Sequence, residues 1–393
     1  IYDSGNYQAV LEKTLKLVDY DYWVAERERA RQQGRYLGIG VTSSQERSVF
    51  SSTEFWFWFD KPSFSPTSSP ESATITIDPT GKFMITLHSQ AYWGNSPETV
   101  ASQVVAEEFD IDPKDIVVTY ADSQHALPGT GPGGSRYSVM VAGSLVGASK
   151  RLKDKITKIV GHQLEVSPSD LEFQEGRVQV KGVPDRALSL SEVALSAYMF
   201  KLNLPQDLES GLEAGFTYDH PYTTLPSPDR KDLGVFYPFV GHACHIAVVE
   251  VDPDTGQLTY HKYVAVHDAG TIVNPKTLDG QIVGGAVQGL GTALFEEYIY
   301  DDKGQMLTAN FSDYLIPNAL DVPTIEVDHL ETPSPYTAYG IKGAGEGGRM
   351  LSPALLSAAI EDALSPFGVQ ITELPITPDK IVRWTQGARK EGS

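Results

Sequence analysis

Apolar residues recur along this chain with two periods, three-to-four and two, and these mark out helices and hairpins in turn. Residues 6–33 carry Val10, Leu11, Leu15, Leu17 and Val18, then the charged run Glu26, Arg27, Glu28 and Arg29, and the spacing predicts one helix ended by Gly34. A strand follows over 36–42. Residues 74–78 and 82–88 read as a hairpin around Pro79-Thr80-Gly81, 94–109 as a helix and 116–120 as a strand. The clearest helix covers 135–160, where Leu145, Leu152, Ile156 and Ile159 share a face and Ala142, Gly143, Ser144, Gly147 and Ala148 leave room for another backbone or a ligand.

Residues 171–173 and 178–181 form a further hairpin, and 189–200 a helix with Ser191 as N-cap. Residues 202–235 are polar and loop-like. A strong hairpin, 244–252 with 258–267, turns at Pro253-Asp254-Thr255-Gly256. After Asn274-Pro275 comes a helix over 277–296 with Gln281, Gly284 or Gly285, and Gln288 on one face. That face suits a polar ring or a phosphate, and it equally suits ordinary packing. Ser352-Pro353 reads as an N-cap and first-turn pair for a helix to about Leu364. A strand over 370–373 and a helix from Pro378 close the chain. Hairpins alternating with helices, with few strand–helix–strand units, argue an α+β fold.

Composition narrows the function classes. The net charge is −20, with 51 acidic against 31 basic side chains among 393 residues, which argues against nucleic acid as a partner. The single Cys244 leaves no disulfide framework and no cysteine-ligated iron–sulfur cluster in this polypeptide, and a reducing, cytoplasmic setting is expected. The least polar stretch, 282–295, is too short for a membrane span and contains Gln288. The opening residues go straight into a helix, as in the later part of a longer polypeptide or one half of a split one. Phe55-Trp56-Phe57-Trp58-Phe59, followed by serines and prolines to Pro70, reads as a strand of the core or of a subunit contact, with a cofactor-stacking or channel role as the alternative.

The chemistry gathers on three glycine-rich loops, 129–136, 270–281 and 340–348. Two of them run directly into helices, whose N-termini bind anions. Arg136 and Lys342 add positive charge, and together these features suit a large anionic cofactor. Glu346 stands among Gly343, Gly345, Gly347 and Gly348, where a ligand meets little crowding. It reads as a base beside that cofactor, or the loop is a structural turn. Gly343, Gly345 and Gly348 also match a dinucleotide-binding G-x-G-x-x-G, but residues 331–342 carry Pro333 and Pro335 where that motif needs a strand. A zinc site on His242 and His245 lacks a third ligand, and no G-x-S-x-G elbow supports a serine hydrolase.

GIKGAGEGG, DAGTIVNPKTLDGQIVGGAVQGLGTALFEE, GPGGSRYSVMVAGS and the opening YDSGNYQAVLEKTLKLVDY…GRYLGIGV resemble, in order, the molybdenum hydroxylases: the xanthine oxidase, aldehyde oxidoreductase and carbon monoxide dehydrogenase family. The likeness is to the later half of the large, molybdopterin-binding subunit. It implies the cofactor-binding domains of that subunit, laid out as 1–70 continuing from an N-terminal half, 71–235 as a first α+β region and 236–393 as a second with the glutamate loop. It implies Glu346 as the general base. It implies that Gly134, Ser135, Arg136, Val273, Asn274, Thr277, Gln281, Lys342, Gly343, Ala344 and Gly345 hold a molybdenum–molybdopterin cofactor, expected as the cytosine dinucleotide. The family's G-Q-G-H-E-T aligns with residues 94–99, keeping Gly94, Glu98 and Thr99. Asn95 retains an amide one methylene shorter, while Ser96 and Pro97 depart.

The remaining large-subunit half, a [2Fe-2S] subunit and an FAD subunit are the expected partners. An aldehyde is the expected substrate, ahead of an N-heterocycle and of carbon monoxide. An assembly subunit that kept the fold without the activity is the alternative of another class.

Overall fold

The computed structural model describes residues 2–50, 69–89, 94–127, 129–227, 229, 231, 232, 234, 235 and 237–391. The aromatic segment 55–59 and its Ser/Pro continuation to 68 lie outside them. Contacts divide the chain into two units, and neither is continuous in sequence. One comprises the residues up to Glu46, Val240–Pro333 and those from Ala344 on; the other lies within Arg47–Phe239 and Ser334–Gly343.

The first unit is built on a four-stranded sheet ordered β1 (Leu37–Ser48), β9 (Phe239–Val251), β10 (Leu258–Asp268), β11 (Glu326–Leu330). β9 and β10 are antiparallel; β10 and β11 are parallel. Strand β9 is apolar almost without interruption because both its faces are covered. Ile246, Val248 and Val264 point to one face, with Val18 and Ile39. Ala247, Val249, Val251, Tyr263 and Ala265 point to the other, where they meet α6 (Pro275–Leu294) through Ile282, Ala286 and Leu290, and α7 (Gly347–Ala363) through Leu355, Leu356 and Ala359. The first face carries α1 (Tyr7–Val18) and α2 (Tyr20–Gln32). These are two helices where one was expected. Asp19 between them takes a left-handed φ of 59°, which aspartate tolerates, and ends the first helix.

The second unit carries a four-stranded sheet ordered β4 (Ile116–Tyr120), β3 (Phe83–Leu87), β2 (Glu71–Ile77), β8 (Glu213–Tyr218), and a three-stranded sheet of β5 (Leu171–Gln174), β6 (Arg177–Val180) and β7 (Val183–Ser189). Two helices, α3 (Pro97–Phe109) and α4 (Tyr137–Leu164), pack with the first of these sheets. The small residues of α4 receive side chains rather than a backbone or a ligand. A methyl at Gly143 would lie 2.4 Å from the Tyr218 ring, and one at Gly147 2.3 Å from the Phe216 ring, so β8 lays its aromatics into that stripe.

Other expectations are corrected. β8 lies inside the stretch read as loop. Helix α5 (Leu190–Met199) is capped by Ser189, not Ser191, because Ser189 and Glu192 form a reciprocal capping box. Helix α7 begins at Gly347 and carries Pro353 inside it, so Ser352-Pro353 is not its start; the Ser352 hydroxyl instead donates to the Gly348 carbonyl at 2.9 Å. Residues 370–373 form no ladder, and the Ile371 N–H goes to the Glu361 carboxylate at 2.6 Å. The final helix is α8 (Pro378–Glu391). Where the dinucleotide reading needs a strand, the glycine loop is preceded by a short turn at Ala338–Gly340.

Strand β1 lies so close to α7 that a methyl at Gly38 would sit 2.0 Å from the Ala359 carbonyl and 2.3 Å from the Ala363 nitrogen. Gly38→Ala is therefore expected to destabilise this unit by about 1–3 kcal/mol or more through overpacking. The urea unfolding midpoint measures it.

Candidate functional site

In the second unit two glycine loops meet. The carbonyl of Ser135 lies where a Gly343 side chain would be: an added Cβ would stand 1.8 Å from it. Only glycine permits that approach. Ser135 itself holds a left-handed φ of 52°, and Gly134 before it a φ of 76°. The Gly343 N–H donates to the Ser48 hydroxyl at 3.3 Å, and the Val49 N–H to the Gly134 carbonyl at 3.0 Å. Lys342 is buried beside them.

The loop 129–136 is shaped around one carboxylate. Glu71, fully buried at the start of β2, accepts on Oε1 from the N–H of Thr130 at 2.9 Å, the N–H of Gly131 at 2.6 Å and the Arg136 guanidinium at 2.5 Å. Arg136 also donates to the carbonyls of Gly131, at 2.8 Å, and Ser69. It is the largest fully buried side chain described, so its charge faces inward, where the sequence had suggested a charge offered to an anion. Burial pulls the guanidinium below its ordinary range and the Glu71 carboxylate opposes that shift. At the N-terminal end of α3, Gly94 is exposed, Asn95 and Thr99 are half-buried, and the Asn95 Oδ1 is buried with no hydrogen-bond partner among the described residues.

In the first unit the residue singled out as a base, Glu346, is exposed at the N-cap of α7, and Ala344 and Gly345 before it are half-buried. Its backbone N–H donates to Oε1 of Glu46 at 2.8 Å. Glu46 is 2 % exposed, and its other oxygen lies 2.5 Å from where a Gly347 side chain would begin, with the His267 ring at 2.9 Å. Gly347 is thus compelled by a carboxylate and an imidazole.

Helix α6 approaches the same turn. Methyl groups at Gly348 and Gly289 would stand 2.4 Å from the Ile282 carbonyl and 2.8 Å from the Arg349 carbonyl, so α6 and α7 run backbone against backbone. Asn274 caps α6, its side chain accepting from the Thr277 N–H at 3.1 Å, with the half-buried Val273 preceding it. Gln281 is half-buried, Gln288 is exposed, and Gly284 faces open space. The loop entering α6 is held by the buried Asp268, which accepts from the N–H of Gly270 at 3.0 Å and of Thr332 at 3.1 Å.

Behind α7 runs a buried polar chain. Ser352 Oγ donates to the Gly348 carbonyl; Tyr263 Oη lies 2.8 Å from that hydroxyl and 3.1 Å from His245 Nδ1; His245 Nε2 lies 2.7 Å from His267 Nε2. One proton arrangement satisfies all four contacts. Tyr263 donates to Ser352, His245 donates from Nδ1 to Tyr263, and His267 donates from Nε2 to His245. Both imidazoles are then neutral. Burial agrees: it holds His245 down to about 3, and burial with the neighbouring His245 holds His267 well below its ordinary value.

Two residues central to this geometry, Glu46 and Glu71, were missed in the sequence. Each is a lone carboxylate within a strand, and the only signal was a charged residue where the alternation called for an inward one. Among the described residues, no group of three or more His, Cys, Asp or Glu could hold a metal ion. Instead His245 pairs with His267, and His242 Nε2 approaches the Ser43 hydroxyl at 3.4 Å.

A family model described as a molybdopterin cofactor-binding domain matches residues 13–323. The chain is 35% identical over 389 residues to the nicotine 6-hydroxylase large subunit of Paenarthrobacter nicotinovorans, covering 98% of this chain and 45% of that protein. It is 30% identical over 381 residues to the carbon monoxide dehydrogenase large chain of Afipia carboxidovorans, covering 95% and 44%. Among solved structures, quinoline 2-oxidoreductase from Pseudomonas putida 86 superposes with a TM-score of 0.85 at 36% identity, covering 98% of this chain and 46% of that one. The chain thus spans a little under half the length of these relatives.

Two outcomes follow from the buried groups. Glu71→Ala strands the Arg136 charge in the interior and is expected to cost about 3–5 kcal/mol, read by chemical unfolding. The histidine pair is neutral when folded, whereas an unfolded histidine takes a proton near pH 6.5. Stability is therefore fully present above about pH 6.5 and is lost as pH falls toward about 3, the folded value of His245. Unfolding midpoints measured from pH 7 to 5 should fall, and His245→Gln should flatten that slope.

Proposed function

The chain belongs to the molybdopterin cofactor-binding domain family, within the molybdenum hydroxylases, and from that premise we propose that it is part of the catalytic large subunit, with Glu346 as its general base. The carrying observation is the placement of Glu346: an exposed carboxylate at a helix start, on a turn whose backbone is fixed by Glu46 and by glycines that admit no side chain. An assembly subunit has no need of a carboxylate held in that way.

The residues suit the cofactor. Asn95, Thr99, Ser135, Thr277 and Gln281 carry amides and hydroxyls, which match a polar organic molecule with many hydrogen-bonding edges. The partnerless Asn95 Oδ1 supports an amide contact at that position despite the departures at 95–97. We assign cofactor contact to Gly94, Asn95 and Thr99; to Gly134, Ser135, Lys342 and Gly343; and to Val273, Asn274, Thr277, Gln281, Ala344 and Gly345. Arg136 acts by shaping its loop through Glu71, with only its backbone left for the cofactor. The cytosine dinucleotide is the proposed form.

When bound, the cofactor supplies two-electron redox chemistry at molybdenum. Glu346 takes a proton onto a carboxylate oxygen as water-derived oxygen is delivered to the substrate carbon. The turn beneath it keeps that oxygen in place. Iron–sulfur and flavin polypeptides and the remainder of the large subunit would complete the cytoplasmic complex and accept the electrons.

Relatives named for nicotine and quinoline shift the substrate class from the aldehyde expected above to an N-heteroaromatic ring hydroxylated beside nitrogen. Metal and pterin analysis of the purified complex should find stoichiometric molybdenum, and turnover should be faster on N-heteroaromatic rings than on aldehydes or carbon monoxide. Glu346→Gln should lower kcat by about 100- to 10,000-fold with molybdenum content unchanged. Retained turnover removes Glu346 as the base, and active complex without molybdenum removes the proposal.

A further inference from the structure

Glu46 has no part in the chemistry above, yet it is a buried carboxylate aimed at the turn that carries the base. Its Oε1 accepts the Glu346 N–H at 2.8 Å, and its second oxygen packs against Gly347, where any side chain would begin 2.5 Å away. Glu346 is the N-cap of α7 and makes no side-chain cap bond, and the first amides of a helix have no partner within it. A carboxylate on a strand therefore satisfies the N-cap amide, a bond that a capping box takes from the third helical residue, here Arg349, which has no acceptor to give. The bond fixes the backbone from which the Glu346 side chain departs.

The support extends inward. The His267 ring lies beside Gly347, and His267 is held in one orientation by the chain through His245 and Tyr263 to Ser352, which itself sits on α7. The turn is thus held by a carboxylate from β1, an imidazole from β10 and a hydroxyl from its own helix.

We propose that Glu46 is the positioning residue of Glu346: by accepting the Glu346 amide it fixes the backbone at the start of helix α7 and so sets where the Glu346 carboxylate is presented. This rests on the assignment of Glu346 as the base. The acceptor oxygen, rather than the negative charge, carries the effect, because the bond is to a backbone N–H. Glutamine retains that oxygen, whereas alanine does not.

The experiment uses the assembled complex and two readouts. Hydrogen exchange of the peptide spanning 343–350 reports the Glu346 amide directly and does not depend on cofactor or turnover. Steady-state kinetics report the presentation of the carboxylate. In Glu46→Ala the peptide should lose its protection and kcat should fall about 100-fold, as small misplacements of reacting groups do, with KM little changed. Glu46→Gln should restore both to within a few-fold. Gly347→Ala, whose methyl displaces the Glu46 carboxylate, should reproduce the alanine variant and serves if that one fails to assemble.

Wild-type exchange and kcat in Glu46→Ala or Gly347→Ala would overturn the proposal. So would a Glu46→Gln complex as impaired as the alanine variant in both readouts, since charge and not the acceptor would then be at work. Lost protection with unchanged kcat, in a complex whose Glu346→Gln variant is inactive, overturns the positioning role while leaving the base assignment intact. If Glu346→Gln is fully active, the base assignment fails, and the exchange readout alone still decides whether Glu46 holds the Glu346 amide.

Discussion

A loop built of glycines has no side chains with which to hold itself, and in this protein buried carboxylates on strands do the holding. Glu71 gathers two amides and a guanidinium onto one oxygen and bends residues 129–136 around it. Glu46 takes the N-cap amide of Glu346, just ahead of α7. These bonds lie out of water, where an acceptor left unpaired is costly. The glycine turns are therefore held by buried side chains that come from strands.

The second constraint is close approach. Gly343 admits the Ser135 carbonyl, Gly347 admits Glu46 and His267, and Gly348 and Gly289 let two helices touch along their backbones. A run of glycines that looks permissive in sequence is, in the fold, a set of positions each occupied by a particular neighbour. Rigidity at a glycine turn comes from what surrounds it, since the chain itself supplies none.

The elements with strong patterns were legible. The hairpin of β9 and β10, the helices α3, α4 and α6 and the α+β class follow from runs and periods that no neighbour needs to explain. Where the reading failed, a local signal had a stronger competitor. Ser191 had the form of a cap, but Ser189 had Glu192 at the reciprocal spacing. Pro353 had the form of a helix start, but Glu46 and the glycines began the helix a turn and a half earlier. The small-residue stripe of α4 fitted a ligand by shape, yet Tyr218 and Phe216, far along the chain and in a stretch read as loop, fill it. Arg136 had the charge for an anion, and only the fold shows that charge turned toward Glu71.

By itself the sequence determined the fold class, the family, and the glutamate on which the chemistry is proposed to turn, because these are carried by local patterns and by motifs in a fixed order. Tertiary structure alone decided which carboxylates are buried supports and which is exposed. Glu46, Glu71 and Glu346 are the same residue type, each with the same bare preference for water. Glu46 and Glu71 are buried where backbone amides from elsewhere in the chain reach their oxygens, and bonds that span tens to hundreds of residues leave no local trace in the chain.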